Sequence, residues 1–505
     1  MLQLDGTSLT LDQLDAIAGG QAGVSLAPSA ARRVNASRAV VDRKASGDAP
    51  VYGVNTGFGA LAETAIPRDQ LGALQLNLLR SHAAGVGEPL PVRAVRASMA
   101  LRANVLAKGF SGIRQETLEL LIAMLNRGVH PVVPSRGSVG ASGDLAPLAH
   151  LALVLVGEGS ASVAGKPAVA GLEALRAAGL APITLVSKEG LALINGTQPS
   201  TAVASLACVA AERLARAADI TAALSIDALR GSTAPFDPRI HEARPHVGQG
   251  TAAANILALM SGSPINKSHA HCGRVQDAYS LRCAAQVHGA ARDALRFVHD
   301  TLQIEANAGT DNPMVFGDAG DIVSGGNFHG APVAIAADLL AIAVTHLATI
   351  SERRSDRLVN PALSGLPPFL TTASGLQSGY MIAQVTAAAL TSELKTLAHP
   401  ASVDTISTSA NKEDHVSMSM GAALKAERAV FNAARVVAIE VLCACQALDL
   451  LAPLTTSAPL QEVHAFVRTM VPTLTDDRPP APDIERIAGA IVDGSFERAC
   501  GAEVK

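Results

Sequence analysis

The chain has 505 residues, and its 40 basic and 44 acidic side chains give a net charge of −4. This balance excludes a protein that binds nucleic acid through bulk positive charge, because phosphate binding needs an excess of Lys and Arg. Apolar residues make up 49% of the chain and charged residues 17%, which excludes a disordered chain. So few charges on so long a chain also indicate that other subunits cover part of its surface. We expect a globular, soluble and oligomeric protein without a nucleic-acid partner.

Aromatic residues are scarce, with ten Phe, three Tyr and no Trp. The core must therefore be aliphatic and rich in alanine, which suits closely packed helices better than a β-sandwich or barrel. The six Cys residues form no disulfide framework and are typical of reduced thiols. The first twenty residues contain Asp5, Asp12 and Asp15 without a basic start. We therefore predict no signal peptide and a cytoplasmic location.

Long apolar runs without internal Pro predict helices, and their lengths favour a bundle. In chain order, the predicted helices cover residues 115–127, 200–230, 276–303, 332–353, 378–399 and 420–450. The stretch 331–350 is long enough to cross a bilayer, but Asp338 near its middle favours a buried helix and no membrane partner. The prediction is a single, mainly α domain over residues 1–505. Residues from about 1 to 200 form a loop-bearing region, and residues 201–505 form the bundle of long helices.

Glycine-rich loops separate these helices at residues 52–59, 137–143, 195–197 and 324–330, and such loops commonly carry function. The segment at 134–150 does not match a phosphate-binding loop, because no Lys follows its glycines and no βαβ pattern surrounds them. It does not match a hydrolase nucleophile elbow either, because Asp144 stands where that motif needs glycine. The segment therefore needs another interpretation.

A third interpretation of this segment is chemical and concerns Ala141, Ser142 and Gly143. In a tight turn, the amide nitrogen of Gly143 can attack the carbonyl carbon of Ala141, and glycine suits such a turn because it lacks a Cβ. Loss of one water closes a five-membered ring, and loss of a second water from Ser142 leaves an exocyclic methylene. The product would be the electrophile 4-methylideneimidazol-5-one (MIO).

The segment 137–150, Gly-Ser-Val-Gly-Ala-Ser-Gly-Asp-Leu-Ala-Pro-Leu-Ala-His, resembles the cofactor-forming signature of the aromatic amino acid ammonia-lyases. The resemblance extends over nearly the whole chain. Further segments similar to those of the family are Tyr52-Gly-Val-Asn-Thr-Gly-Phe-Gly59, Ser81-His-Ala-Ala-Gly-Val-Gly87, Asn195-Gly-Thr-Gln198, Val275-Gln-Asp-Ala-Tyr-Ser-Leu-Arg-Cys283, Gly325-Gly-Asn-Phe-His329 and Ser409-Ala-Asn-Lys-Glu-Asp-His-Val-Ser-Met418. The resemblance implies an elongated helical-bundle lyase fold of the fumarase/aspartase-like superfamily. It also implies a homotetramer whose active sites combine loops of more than one subunit, and an MIO group formed within the first 200 residues without an external cofactor.

The resemblance also implies roles for individual residues. Tyr52 would be the base that removes the β-proton, and the ring from residues 141–143 would capture the amine. Arg282 would clamp the substrate carboxylate with its planar fork, and Tyr279, one helical turn earlier, would position the amine and the ring. The remaining implied residues are polar groups that hold the substrate carboxylate and the ring oxygen, and one apolar wall: Asn195, Gln276 and Phe328.

Two positions bear on the substrate. Ser81-His82 resembles the histidine-selective members of the family, and Glu413 stands where phenylalanine- and tyrosine-selective members usually have Gln. A carboxylate can accept the N–H of an imidazole, whereas beside a phenyl ring it would be buried and unsatisfied. The expected reaction is therefore elimination of ammonia from L-histidine to give trans-urocanate, the first step of histidine degradation.

Four departures from the family pattern keep alternatives open, namely Ala285, Ala331, Leu394 and Lys412. A phenylalanine or tyrosine ammonia-lyase, or an MIO-dependent aminomutase, is the second candidate. A different class, a metal-dependent hydrolase or a metal-binding protein, would use the histidines and cysteine of a possible cluster: His241, His246, His269, His271 and Cys272. Their spacing is a poor match to zinc motifs, and we predict no metal.

Overall fold

The computed structural model describes residues 1–47, 49–57, 59, 64–270 and 272–505. Phe58 of the Tyr52–Gly59 motif and His271 of the possible metal cluster lie outside the described residues. Helices dominate the remainder, and the prediction of a mainly α fold is confirmed.

The helices and strands of the described residues are numbered in chain order. The helices are α1 Leu11–Ala18, α2 Pro28–Ala45, α3 Leu71–His82, α4 Val92–Ala107, α5 Gln115–Asn126, α6 Leu145–Leu155, α7 Gly171–Ala177, α8 Glu189–Ile194, α9 Gln198–Ala228, α10 Pro238–Glu242, α11 Val247–Met260, α12 Pro264–Ser268, α13 Tyr279–Arg282, α14 Ala284–Glu305, α15 Ala331–Val359, α16 Pro361–Ser364, α17 Met381–Leu397, α18 Ser419–Leu450, α19 Ala458–Met470, α20 Ala481–Val492 and α21 Ser495–Arg498. The strands are β1 Leu2–Leu4, β2 Val24–Leu26, β3 Val86–Pro89, β4 Val129–Pro131, β5 Pro134–Arg136, β6 Ser160–Val163, β7 Val169–Ala170, β8 Met314–Phe316 and β9 Asp321–Val323.

The chain forms two compact units, each assembled from three stretches of sequence. Unit 1 comprises Met1–Leu206, His299–Ala337 and Ala401–Leu424. Its core is built around α4, which is buried almost throughout and packs against α1 and α5. Alanine, leucine and arginine favour this helix, and it stops just before Gly109, whose φ of +82° suits glycine alone at low strain.

The strands of unit 1 form small sheets. β1 and β2 pair in parallel, and the other pairings, β3–β5, β4–β6–β7 and β8–β9, are antiparallel. β5 ends at Arg136 and α6 begins at Leu145, so a short sheet and a buried helix hold both ends of the loop at 137–143.

Unit 2 comprises Ala207–Val298, Asp338–Pro400 and Lys425–Lys505. Its part of α18 buries a run of small residues that includes Ala429, Ala433 and Ala438, which agrees with the expected alanine-rich core. Buried ion pairs also hold this unit together. Arg354 donates to both oxygens of Glu440 at 2.5 and 2.9 Å, and both side chains are fully buried.

Five of the six predicted helices are found with ends shifted by a few residues, and the sixth is divided. The prediction of one helix over 276–303 is wrong, because residues 276–278 are not helical and α13 is separated from α14 at Cys283. α15 is long and apolar enough to span a membrane, but 67% of its apolar window is buried inside the protein. Mostly buried core helices have this same length and composition.

Candidate active site

A cavity of about 460 Å³ lies in unit 1 and brings together most of the predicted site residues. The predicted residues that line it are Tyr52, His82, Ala141, Ser142, Asn195, Phe328 and Glu413. Apolar side chains of α3, α6 and α8 complete one wall, namely Leu78, Leu145, Leu191 and Ile194. The cavity therefore combines an apolar wall with a few polar groups, as small-molecule sites usually do.

Two glycines set the path of the loop that carries Ala141 and Ser142. Gly140 and Gly143 have φ values of +65° and +73°, a region that other residues rarely adopt. A Cβ on Gly143 would lie 2.2 Å from the carbonyl oxygen of Gly196, and the amide of Asp144 donates to that same oxygen at 2.8 Å. The turn therefore requires glycine at 143 for both its conformation and its close approach to the chain at 196.

Asp144 fastens the end of this loop from inside the protein. Its carboxylate is fully buried and accepts from Ser138 Oγ at 2.6 Å and from the amide of Ser200 at 2.8 Å. Burial raises the pKa of Asp144, and these hydrogen bonds oppose that effect. Ser417 Oγ also donates to the carbonyl oxygen of Gly140 at 2.8 Å, so both sides of the loop are held.

Ser142 lies between two polar partners. Its Oγ donates to Glu413 Oε1 at 2.7 Å, and its carbonyl oxygen accepts from Asn195 Nδ2 at 3.0 Å. The second oxygen of Glu413 accepts from Thr408 Oγ1 at 2.6 Å. Asn195 is buried, and its Oδ1 has no hydrogen-bond partner among the described residues.

His82 is the last residue of α3, and its position fixes its protonation. Its Nδ1 lies 2.9 Å from the carbonyl oxygen of Leu78 and 3.0 Å from Ser81 Oγ. A carbonyl oxygen can only accept, so Nδ1 carries the proton and Nε2 is an acceptor. Burial lowers the pKa of His82, and the smaller opposing effects of Leu78 and Glu413 do not cancel this change. The lowered pKa favours the neutral ring.

Tyr52 reaches the cavity from the loop after α2. Val54 anchors this loop in a small apolar cluster with Val40, Val41 and Val315. The amide of Gly59 donates to the hydroxyl of Tyr52 at 3.3 Å. The phenol therefore stands at the cavity on a short segment that Val54 holds in place.

Gln276, Tyr279 and Arg282 are placed elsewhere. All three lie in unit 2, and none is among the residues that line this cavity. Tyr279 is 71% exposed, and the guanidinium carbon of Arg282 lies 4.8 Å from the centre of its ring. Arg282 Nε has no partner among the described residues. The structure therefore keeps Tyr279 and Arg282 together, as their spacing predicts.

Several residues of the cavity had no role in the sequence interpretation. His329 and His415 stack with ring centres 5.8 Å apart, and His329 Nε2 lies 3.1 Å from the carbonyl oxygen of His415. Both occur inside motifs quoted above, which was the available signal. Thr408, whose hydroxyl group donates to Glu413, lies one residue before the motif that begins at Ser409, so no motif indicated its role.

The departures from the family pattern differ in position. Ala285 and Leu394 are buried in helices of unit 2, and Ala331 is the first residue of α15. Lys412 lines the cavity. Of these four residues, Lys412 is therefore the one whose side chain can contact a bound substrate and affect substrate preference.

Two histidines of the possible metal cluster are engaged by the protein itself. The ring nitrogens of His269 lie 2.8 and 3.4 Å from the carbonyl oxygens of Ile265 and Gly231. His241 contacts the carbonyl oxygen of Pro235 and the side chain of Gln249 at 3.2 and 3.0 Å. A metal would have to displace these contacts.

Comparisons with known proteins identify the family to which this helical fold and its cavity belong. A family model described as aromatic amino acid lyase matches residues 9–469. The histidine ammonia-lyase of Anaeromyxobacter sp. (strain K) is 58% identical over 504 residues, which cover 98% of this chain and 99% of that protein. The chain belongs to the aromatic amino acid lyase family, and it is a carbon–nitrogen lyase.

Solved structures confirm the predicted helical lyase fold. The crystal structure of histidine ammonia-lyase from Trypanosoma cruzi has a TM-score of 0.93 and 47% identity, covering 99% of this chain and 95% of that one. The tyrosine aminomutase from Streptomyces globisporus has a TM-score of 0.95 and 38% identity over 100% of both chains. Backbone similarity is thus equally high for two different reactions, so the site must decide between them.

Proposed function

We propose that this protein is a histidine ammonia-lyase, which eliminates ammonia from L-histidine to give trans-urocanate. The observation that carries the proposal is that His82 and Glu413 line the same cavity as Ser142. An acceptor nitrogen and a carboxylate suit a ring that carries N–H groups, and they do not suit a phenyl ring. The relatives named histidine ammonia-lyase, at 50–58% identity over nearly the whole chain, support the same substrate.

The residues at 141–143 fit the MIO group that the family implies. The left-handed turn at Gly143 and the absence of a Cβ there allow the peptide to be bent tightly against Gly196. Asn195 Nδ2 already donates to the carbonyl oxygen of Ser142, which becomes the ring oxygen. Once formed, the ring supplies an electrophile that captures the substrate amine and makes it a better leaving group.

Ring formation needs no oxidant, reductant or external reagent. A bond forms between the nitrogen of Gly143 and the carbonyl carbon of Ala141. The oxygen of that carbonyl leaves as water with the amide hydrogens of Ser142 and Gly143, which makes a C=N bond to the nitrogen of Ser142. A second water then takes the hydroxyl group and the Cα hydrogen of Ser142 and leaves a C=C bond.

The chain's own residues would perform the remaining tasks. Tyr52 would accept the β-proton of the substrate at its phenolic oxygen, since it reaches the cavity from a separate loop. Phe328 and the leucines of the wall would pack against the substrate ring and exclude water. Glu413 would accept the N–H of the imidazole, and Nε2 of neutral His82 would accept a second N–H when the substrate ring is protonated.

The substrate carboxylate needs a cation to bind it. Arg282, the predicted partner, is not among the residues that line the cavity. Gln276 and Tyr279 are exposed, and Arg282 lies beside Tyr279 in unit 2. We therefore propose a homotetramer in which these three residues complete the cavity of another subunit. This arrangement agrees with the low share of charged residues in the sequence, which is 17%.

The proposal is tested by following ultraviolet absorbance during separate incubations with histidine, phenylalanine and tyrosine. We expect a conjugated acid to form from histidine at the highest catalytic efficiency. The second candidate, an aminomutase, has the support of the similar tyrosine aminomutase structure, and it would yield a β-amino acid instead. Product analysis that finds a β-amino acid, or a preference for phenylalanine or tyrosine, would contradict the proposal.

A further inference from the structure

Arg102 of α4 is a fully buried guanidinium in unit 1 whose role the site described above does not explain. It donates to the carbonyl oxygen of Asn195 at 2.8 Å, to Gln198 Oε1 at 2.6 Å and to the carbonyl oxygen of Ala192. All three acceptors are neutral. Burial lowers the pKa of Arg102 to about 10, so the group is still charged near neutral pH.

A buried charge without a directly bonded counterion is unfavourable unless its hydrogen bonds are well formed. Asp311 acts on Arg102 electrostatically, but its carboxylate lies 3.3 Å from the ammonium of Lys188. Arg102 Nε has no partner among the described residues. The guanidinium therefore has a high desolvation penalty, and its three hydrogen bonds all go to one short stretch of chain.

That stretch runs from Ala192 to Gln198 and contains the turn at 195–197 between α8 and α9. The carbonyl groups at the end of a helix have no partner within it, and Arg102 satisfies those of Ala192 and Asn195. Gln198 extends this hydrogen-bond network to Thr310, because its Nε2 donates to Thr310 Oγ1 at 2.8 Å. The planar fork of Arg can bond to several acceptors at once in fixed directions, which the ammonium group of Lys cannot do.

Gly196 lies between Arg102 and the loop that carries Ser142. Its φ is +147°, and a Cβ on it would lie 2.7 Å from Arg102 Nη1. On the loop side, a Cβ on Gly143 would lie 2.2 Å from the oxygen of Gly196. Gly143 and Gly196 also pair as a parallel bridge. Arg102 thus packs against one side of the peptide at Gly196, and Gly143 packs against its other side.

We infer that Arg102 is a positioning residue for ring closure: by fixing the turn at 195–197, it holds the Ser142–Gly143 peptide in the compact turn from which the nitrogen of Gly143 reaches the carbonyl carbon of Ala141. The inference rests on the proposed function, because it concerns formation of the MIO group. Arg102 does not touch the substrate. Its effect is on how completely the chain modifies itself, before any catalysis.

The intact mass of the purified chain tests this inference without an activity measurement. The wild-type chain should be lighter than its sequence by the mass of two waters. In Arg102→Met, most chains should keep the full mass, because the turn loses its support. Arg102→Lys keeps the charge and should also retain unmodified chains. If circular dichroism shows that Arg102→Met does not fold, the mass of Arg102→Lys is used to test the inference instead.

Arg354→Met is the matched control. Arg354 is also a fully buried arginine, but it pairs with Glu440 within unit 2, whereas the turn at 195–197 belongs to unit 1. This variant should lose stability and still lose two waters. If Arg102→Lys folds and is fully dehydrated, or if Arg354→Met is equally unmodified, the inference is wrong and the proposed function stands. If the wild-type chain itself has the full mass, the proposed cofactor is wrong.

Discussion

Ser142 Oγ and Glu413 Oε1 are joined by a hydrogen bond of 2.7 Å. The hydroxyl group that ring formation would remove is therefore the one bound to the carboxylate that would select the substrate. After dehydration Oε1 would lose this donor, while Oε2 would keep its bond to Thr408. Glu413 would then be held in place with one oxygen free to accept an imidazole N–H. Cofactor formation and substrate selection would in this way share one side chain.

The first prediction concerns Ser142→Ala. Without the hydroxyl group the second water cannot be lost and no exocyclic methylene can form. We expect a folded chain without the two-water mass difference and with nearly all activity lost. Ser205→Ala, which changes a buried serine on α9, is the control and should keep both the mass difference and the activity. Full activity of Ser142→Ala would exclude the proposed electrophile.

The second prediction concerns selectivity and Glu413→Gln. This change keeps the size of the side chain and removes the charge, so a charge-assisted hydrogen bond of about 1.5–3 kcal/mol is lost. The kcat/KM for histidine should fall roughly ten- to a hundred-fold, with a smaller effect on phenylalanine. His82→Leu should shift the same ratio towards phenylalanine by adding apolar surface.

Asp414→Asn is the matched control for Glu413→Gln, because Asp414 lines the same cavity and loses the same charge. We expect it to leave the ratio of histidine to phenylalanine efficiencies close to that of the wild type. An equal change in both variants would indicate a general effect of charge. A ratio that Glu413→Gln leaves unchanged would contradict the choice of histidine as substrate.

The helical class and the residues of the cavity could be predicted from sequence because they depend on local patterns. Apolar runs without Pro gave α15 and α18, and the family motifs, taken together, gave most of the residues that line the cavity. The break at Cys283 could not be predicted, because no Pro or Gly marks it within an otherwise helical run. Arg102 was missed for a related reason: its partners are about 90 residues away, and no local pattern reports such a contact.

The third prediction concerns pH and His130. Burial, with a contribution from Arg96, lowers the pKa of His130 to about 4, against about 6.5 in an unfolded chain. Between about pH 6.5 and pH 4 the unfolded chain therefore binds a proton that the folded chain does not. The free energy of unfolding should fall as pH falls through this window, and this loss is absent above about pH 6.5.

His130→Gln isolates this contribution, since an amide oxygen can still accept from Arg96, which lies 2.9 Å from His130 Nε2. The measurement is the Tm of both proteins across the window. We expect the Tm of the wild type to decrease more steeply towards low pH than that of His130→Gln. Parallel curves would show that His130 takes up its proton without a difference between the folded and unfolded states.

The fourth prediction tests the shared site. Tyr52 lines the cavity of unit 1, whereas Arg282 belongs to unit 2 and does not line it, so we propose that each site takes Arg282 from another subunit. Tyr52→Phe and Arg282→Met should each abolish nearly all activity when alone. When the two variants are unfolded, mixed in equal amounts and refolded together, about one quarter of the sites should receive both wild-type residues. Mixing two samples of the same variant is the control and should restore nothing. If each site took both residues from one chain, the mixed protein would stay inactive, because every chain carries one defect.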